Sequence, residues 1–103
     1  MNKKYIIRKN EDILKIIKTG QKKVFSHFNV YRKKNNIENS RFCISVSKKL
    51  GNAVERNKLK RQVKDILMKN LLPKNEDYVI IMGSSFKGLS FKEKKEALLK
   101  GIE

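Results

Sequence analysis

Apolar residues fall into two kinds of spacing along this chain. Ile13, Ile16 and Ile17 recur at i, i+3 and i+4, which makes one apolar face and predicts a short helix over residues 10–19. Asn10 is placed to cap it, Glu11 and Asp12 suit its first turn, and Gly20 ends it. Residues 24–33, VFSHFNVYRK, are aromatic and β-branched and predict a strand, bent or split in two. KNNIEN then reads as a turn. RFCISVS, residues 41–47, alternates: Phe42, Ile44 and Val46 point to one face, and Cys43, Ser45 and Ser47 to the other. One face of that strand is core, and the other is small, polar and accessible.

Gly51 turns the chain into a second helix. Asn52 and Glu55 have capping-box spacing, and the helix can run to about Leu71 before Pro73 blocks it. DYVIIMG, residues 77–83, is a near-continuous apolar run, as expected of a central strand. GSSFKG reads as a loop, and Ser90 with Glu93 opens a last helix to about Ile102. The order is α-β-β-(β)-α-β-α. It predicts a single-domain α+β sandwich over residues 1–103, with helices packed on a small mixed sheet. Residues 1–9 are basic and read as a flexible lead.

Charge narrows the function. Lys and Arg number 26 against 10 acids, a net +16 in 103 residues. The usual partner of such a surface is a polyanion, nucleic acid before an anionic membrane. The longest clean apolar run, VIIM at residues 79–82, is far too short to span a bilayer. The first residues hold no apolar segment of signal-peptide length, so a cytoplasmic protein is the simplest reading. One cysteine, Cys43, excludes an intrachain disulfide, and one histidine, His27, excludes a His-pair metal site. The acids are scattered, no Gly-rich phosphate loop occurs, and Ser84 and Ser85 have no evident base in the sequence. Catalysis by the chain alone is not expected.

The second helix concentrates the charge. On a helical wheel Leu59, Val63, Ile66 and Leu67 form one side, while Asn57, Lys60, Arg61 and Lys64 form a second stripe with Arg56 near the seam. No acid interrupts that stripe. From Arg41 to Lys64 there are eight basic residues and only Glu55 against them. Cations disfavour a helix N-terminus unless it meets an anion, and the free backbone N–H groups there favour phosphate. A solvated charged face is the plain alternative. Phe28 and Phe42 suit core packing, whereas Tyr31, on the opposite strand face from Phe28, is a candidate for stacking on an unpaired base.

The run RFCISVSKKLGNAVERNKLKRQVKDIL resembles the bacterial ribonuclease P protein family, in which a strand ending Ser-Val-Ser-Lys-Lys leads through Gly-Asn-Ala-Val into an Arg-Asn-x-x-Lys-Arg helix. NEDILKIIKTG, DYVIIMG and LSFKEKKEAL extend the likeness across nearly the whole chain. The resemblance implies a protein subunit that supports Mg²⁺-dependent endonucleolytic removal of the 5′ leader from precursor tRNA, with the RNA subunit holding the metal and doing the chemistry. It implies a left-handed crossover between the parallel strands, against the usual rule. It places Lys48, Lys49, Arg56, Asn57, Lys58, Lys60, Arg61 and Lys64 against the RNA subunit. It places Ile13, Ile17, Phe28, Tyr31, Cys43, Ser45 and Ser47 in a leader-binding cleft. Aromatic residues are frequent in the family where Ile13 and Ile17 stand here. No membrane and no small-molecule substrate are expected as partners. A small ribosomal-type RNA-binding protein is the alternative that charge and size equally allow.

Overall fold

The computed structural model describes residues 6–7, 9–36, 40–70 and 75–102. Helix α1 (Asn10–Thr19) leads into strands β1 (Gln21–Val24), β2 (Phe28–Lys34) and β3 (Arg41–Val46). Helix α2 (Ala53–Lys69), strand β4 (Glu76–Met82) and helix α3 (Phe91–Gly101) follow. The strands form one sheet in the order β1-β2-β4-β3. β4 pairs antiparallel with β2 and parallel with β3, so the apolar run of residues 77–83 is central, as its composition predicts. The parallel pair is joined through α2, a β-α-β crossover.

The stretch over residues 24–33, expected as a strand bent or split in two, is split. Val24 ends β1, the chain turns through Phe25–His27, and β2 runs to Lys34. All four residues of β1 are exposed, so no hydrophobic period marks it and only its pairing with β2 makes it a strand. Two short 3-10 turns add detail: Lys48–Leu50 precedes α2, and Ser84–Gly88 occupies the stretch expected as a loop.

The helix ends follow from their residues with one correction. Asn10 does not cap α1. Lys9 holds the cap position, its carbonyl accepting from the Ile13 N–H at 3.2 Å, and Asn10 is the first helical residue. Asn52 does cap α2, its side chain accepting from the Glu55 N–H at 2.9 Å. Ser90 and Glu93 form a complete capping box on α3. The expected end of α2 near Leu71 and Pro73 lies outside the described residues; the helix is described to Lys69, and the Asn70 side chain donates to the Ile66 carbonyl at 2.7 Å. Part of the KNNIEN turn, residues 37–39, also lies outside them. So do residues 1–5 and 8 of the lead expected to be flexible, but Ile6 and Ile7 are held: Ile6 bridges to Phe42, and Ile7 is 3% exposed.

The sheet separates two apolar clusters. Phe28, Val30, Phe42, Ile44, Tyr78, Ile80 and Met82 face one way and meet Leu59, Val63, Ile66 and Leu67 of α2 and Leu98 of α3. Those four α2 residues are the apolar side read from the wheel. On the other face Val79 meets Ile7 and Ile16, with Ile13, Ile17, Tyr31, Cys43 and Ile81 half-buried around them. Gly20 allows the close turn from α1 into β1: a Cβ there would come within 2.6 Å of the Ile16 carbonyl oxygen and 2.7 Å of that of Arg32.

Candidate nucleic-acid interface

Strand register lays out the α1 side of the sheet in rows. Lys22, Tyr31, Val79 and Cys43 stand side by side across the four strands. α1 packs over the Tyr31, Val79 and Cys43 end of that row through Ile13, Ile16 and Ile17. The next row is Val24, Asn29, Ile81 and Ser45. None of these four is buried, and Val24 and Ser45 are exposed. Ser47, just past β3, is exposed too. The result is a shallow floor of mixed apolar and small polar groups, with α1 as one wall.

One residue assigned to the cleft does not belong there. Phe28 is 3% exposed in the core on the opposite face. It stacks on Phe25 at 5.1 Å and meets Phe86 edge-on at 6.1 Å. Period two separates it from Tyr31 on the same strand, so the two cannot line one cleft. Ile13, Ile17, Tyr31 and Cys43 come together on the α1 side, Ser45 shares that face of β3, and Ser47 is exposed just past the strand.

The α2 stripe reaches this floor. Burial pushes the Cys43 thiol up, and the charges of Lys60 and Lys64 oppose that shift. α2 packs against β3, which sets Lys60 and Lys64 on the helix that lies along the β3 edge of the groove. Asn57 and Arg61, one turn apart, are exposed on the same helix. Lys48 and Lys49 are exposed in the 3-10 turn ahead of it. Gly51 makes that turn with φ 131°, a conformation side-chain-bearing residues rarely adopt. Lys58 stands apart from Lys60 and Lys64: it lies toward α3, where burial and then the charge of Lys58 push the Lys94 amine down.

Pairing separates structural cations from available ones. Arg41 is held by Asp77 through Nε at 3.0 Å and a terminal nitrogen at 2.7 Å, and Asn35 also donates to Asp77 at 2.6 Å. Arg32 donates to Glu76 at 2.9 Å and to the Tyr78 hydroxyl at 3.0 Å. These pairs brace the Glu76–Asp77 end of the sheet. By contrast, among the described residues Lys48, Lys49, Arg56, Lys58, Lys60, Arg61 and Lys64 form no ion pair. The Arg56 Nε is buried without an acceptor. An unpaired cation belt costs the free protein repulsion and leaves its donors open to phosphate.

Two features escaped sequence reasoning. Lys22 stands over the Tyr31 ring, its amine 5.5 Å from the centroid. His27 Nδ1 lies 2.8 Å from Ser85 Oγ, so that serine does have a base beside it. The residues are 58 apart in sequence and meet because Phe28 pairs with Met82. The nearby Glu93 carboxylate, lowered chiefly by the Ser90 backbone and side chain, is committed to the α3 cap. Among the described residues, no three His, Cys, Asp or Glu side chains gather to hold a metal ion, and no helix is long and apolar enough to cross a membrane.

The sequence matches the Ribonuclease P family model over residues 1–103. The ribonuclease P protein component of Macrococcus caseolyticus is 39% identical over 100 residues, spanning 95% of this chain and 87% of the relative. That of Listeria monocytogenes is 39% identical over 103 residues, spanning 96% and 86%. Among solved structures, the RNase P protein from Thermotoga maritima aligns with a TM-score of 0.86 at 34% identity over 93% of each chain. A Staphylococcus aureus RNase P protein mutant aligns with a TM-score of 0.89 at 35% identity, over 95% of this chain and 85% of that one.

Proposed function

This chain belongs to the ribonuclease P protein family, and from that premise we propose how its surfaces divide the work of a ribonuclease P subunit in tRNA processing. The α2 stripe, with Lys48 and Lys49, binds the RNA subunit. The groove between α1 and the sheet binds the 5′ leader of precursor tRNA. The observation that carries this division is their adjacency: α2 packs against β3, the edge strand whose Cys43 and Ser45 floor the groove, so the basic helix and the groove share one edge of the sheet.

Each group has a task that its chemistry suits. Arg56 and Arg61 offer planar forks for bidentate phosphate contacts, and the lysines act as point charges. Asn57, exposed between them, can bond to a base or ribose edge. In the groove, Tyr31 offers an aromatic ring, while Ile13 and Ile17 offer aliphatic contact without ring stacking. Cys43, Ser45 and Ser47 keep the floor low enough for a strand of RNA to lie close to the sheet.

The chain itself performs no bond cleavage in this account. Mg²⁺ is assigned to the RNA subunit, as the family resemblance implies, where it would supply activation of water and stabilisation of the departing oxygen. The protein binds, orients and screens phosphate charge. Family membership favours this reading over a ribosomal-type RNA-binding protein.

Reconstitution tests it. Purified chain, ribonuclease P RNA and precursor tRNA are combined at low Mg²⁺, and leader release is followed. Cleavage that requires both components is the expected result. Cleavage by the protein alone would overturn the division of labour. Tight RNA binding without stimulation, with the cognate RNA subunit present, would restore the ribosomal-type alternative.

A further inference from the structure

Edge strand β1 carries a cation that the α2 stripe does not explain. Lys22 is exposed, forms no ion pair among the described residues, and holds its amine 5.5 Å from the Tyr31 ring centroid. It occupies the β1 end of the row Lys22, Tyr31, Val79, Cys43. At the other end of the same row stands Cys43 on β3, the edge strand against which α2, with Lys60 and Lys64, packs. Three inter-strand steps separate the ends, about 14 Å. The groove floor is thus mostly apolar and uncharged in its middle and cationic at both edges.

A ligand matching that layout has bases or sugars at its centre and a phosphate at each side. A single RNA strand crossing the sheet has this form. An edge lysine also discourages sheet-to-sheet pairing, and solvated lysines serve that purpose alone on many edge strands. Lys23, its neighbour on β1, points to the other face and fits that simpler use. Lys22 differs because it is docked on the aromatic ring of the groove. A cation on a ring keeps its remaining N–H donors free for an anion, and the ring restricts where the amine can go.

We propose that Lys22 is a substrate-positioning residue that takes one leader phosphate at the β1 edge of the groove, with Tyr31 holding its amine in place. The inference rests on the leader-groove reading above. It adds a second electrostatic boundary, so that the leader is gripped on both sides of the sheet rather than only beside α2.

The test uses the reconstituted holoenzyme with wild-type chain, Lys22→Met and Lys22→Arg. Binding of leader-bearing precursor and of leaderless tRNA is measured across a salt series. A second precursor set carries a neutral methylphosphonate at one leader phosphate at a time. Lys22→Met is expected to weaken leader-bearing substrate about three- to tenfold, leave leaderless tRNA unchanged and reduce the salt slope by about 1. Lys22→Arg is expected to restore most of the loss. One methylphosphonate position should weaken wild type and leave Lys22→Met unaffected. Equal losses for both substrates, an unchanged salt slope, or methylphosphonate effects that persist undiminished in Lys22→Met would each overturn the proposal. Failure of wild type to distinguish leader-bearing from leaderless substrate would instead remove the groove assignment on which it rests.

Discussion

On β2, Phe28 and Val30 are buried against α2 and α3, while Asn29 and Tyr31 between and beside them are half-buried on the α1 side. β3 repeats the division, with Phe42, Ile44 and Val46 inward and Cys43, Ser45 outward. The α2 face carries large side chains throughout and is closed by two helices. The α1 face has a small apolar cluster, one covering helix and an open second row. Alternation lets one set of strands do both jobs, because a strand presents its two faces to different neighbours. Residues on the closed face fix the sheet that the open face needs as a platform.

Substitutions can pull these faces apart. Ile80→Ala, at a fully buried position of the central strand, should lower stability by about 2–5 kcal/mol, read by urea unfolding. Tyr31→Ala should leave stability closer to wild type and cost about 1–3 kcal/mol in binding of leader-bearing precursor, with little effect on leaderless tRNA. Equal losses on the two substrates would remove Tyr31 from the groove's function. A large loss of stability instead would make the α1 face a second core.

The closed face also has a pH signature. Burial, more than its charged neighbours, pushes the Tyr78 hydroxyl up to about 12. Below pH 10 this group contributes no pH dependence. Between pH 10 and about 12 the unfolded chain releases the phenolic proton and the folded chain keeps it. Stability is then lost as pH rises, at up to about 1.4 kcal/mol per pH unit. Tyr78→Phe should remove that part of the slope in urea melts at pH 9 to 11.5. An unchanged slope would mean that the hydroxyl is solvated in the folded protein. The smallest expected effect is electrostatic: Arg61→Ala should leave folding intact and reduce the salt slope of RNA-subunit assembly by about 1.

Much of this division was legible in the chain. The spacing of Leu59, Val63, Ile66 and Leu67 gave the inner side of α2, and the alternation of residues 41–47 gave both faces of β3. Caps at Asn52 and Ser90 were readable because they depend on side chains three residues apart. What escaped depended on pairing and packing partners rather than on a local period. β1 has no apolar period, and only pairing with β2 reveals it. In the sequence Ile7 reads as part of a loose basic lead; in the fold its N–H reaches the Phe42 carbonyl. Phe28 reads as core from its strand period opposite Tyr31, and the fold agrees; only the family resemblance places it in the groove, and its aromatic neighbours Phe25 and Phe86 come from the fold. Lys22 gained meaning only from register with Tyr31.

In the proposed division the groove meets the leader while the α2 stripe meets the RNA subunit. It can be tested directly with a tethered hydroxyl-radical source. Cys43 is the only cysteine, so Cys43→Ser gives a clean background for Ser45→Cys on the groove floor and Asn57→Cys on the helix stripe. Each labelled protein is assembled with the RNA subunit and precursor tRNA, and the cuts are mapped. The Ser45 probe is expected to cut the leader and the Asn57 probe to cut the RNA subunit. Cuts from Ser45 confined to the RNA subunit, or cuts from Asn57 confined to the leader, would contradict it.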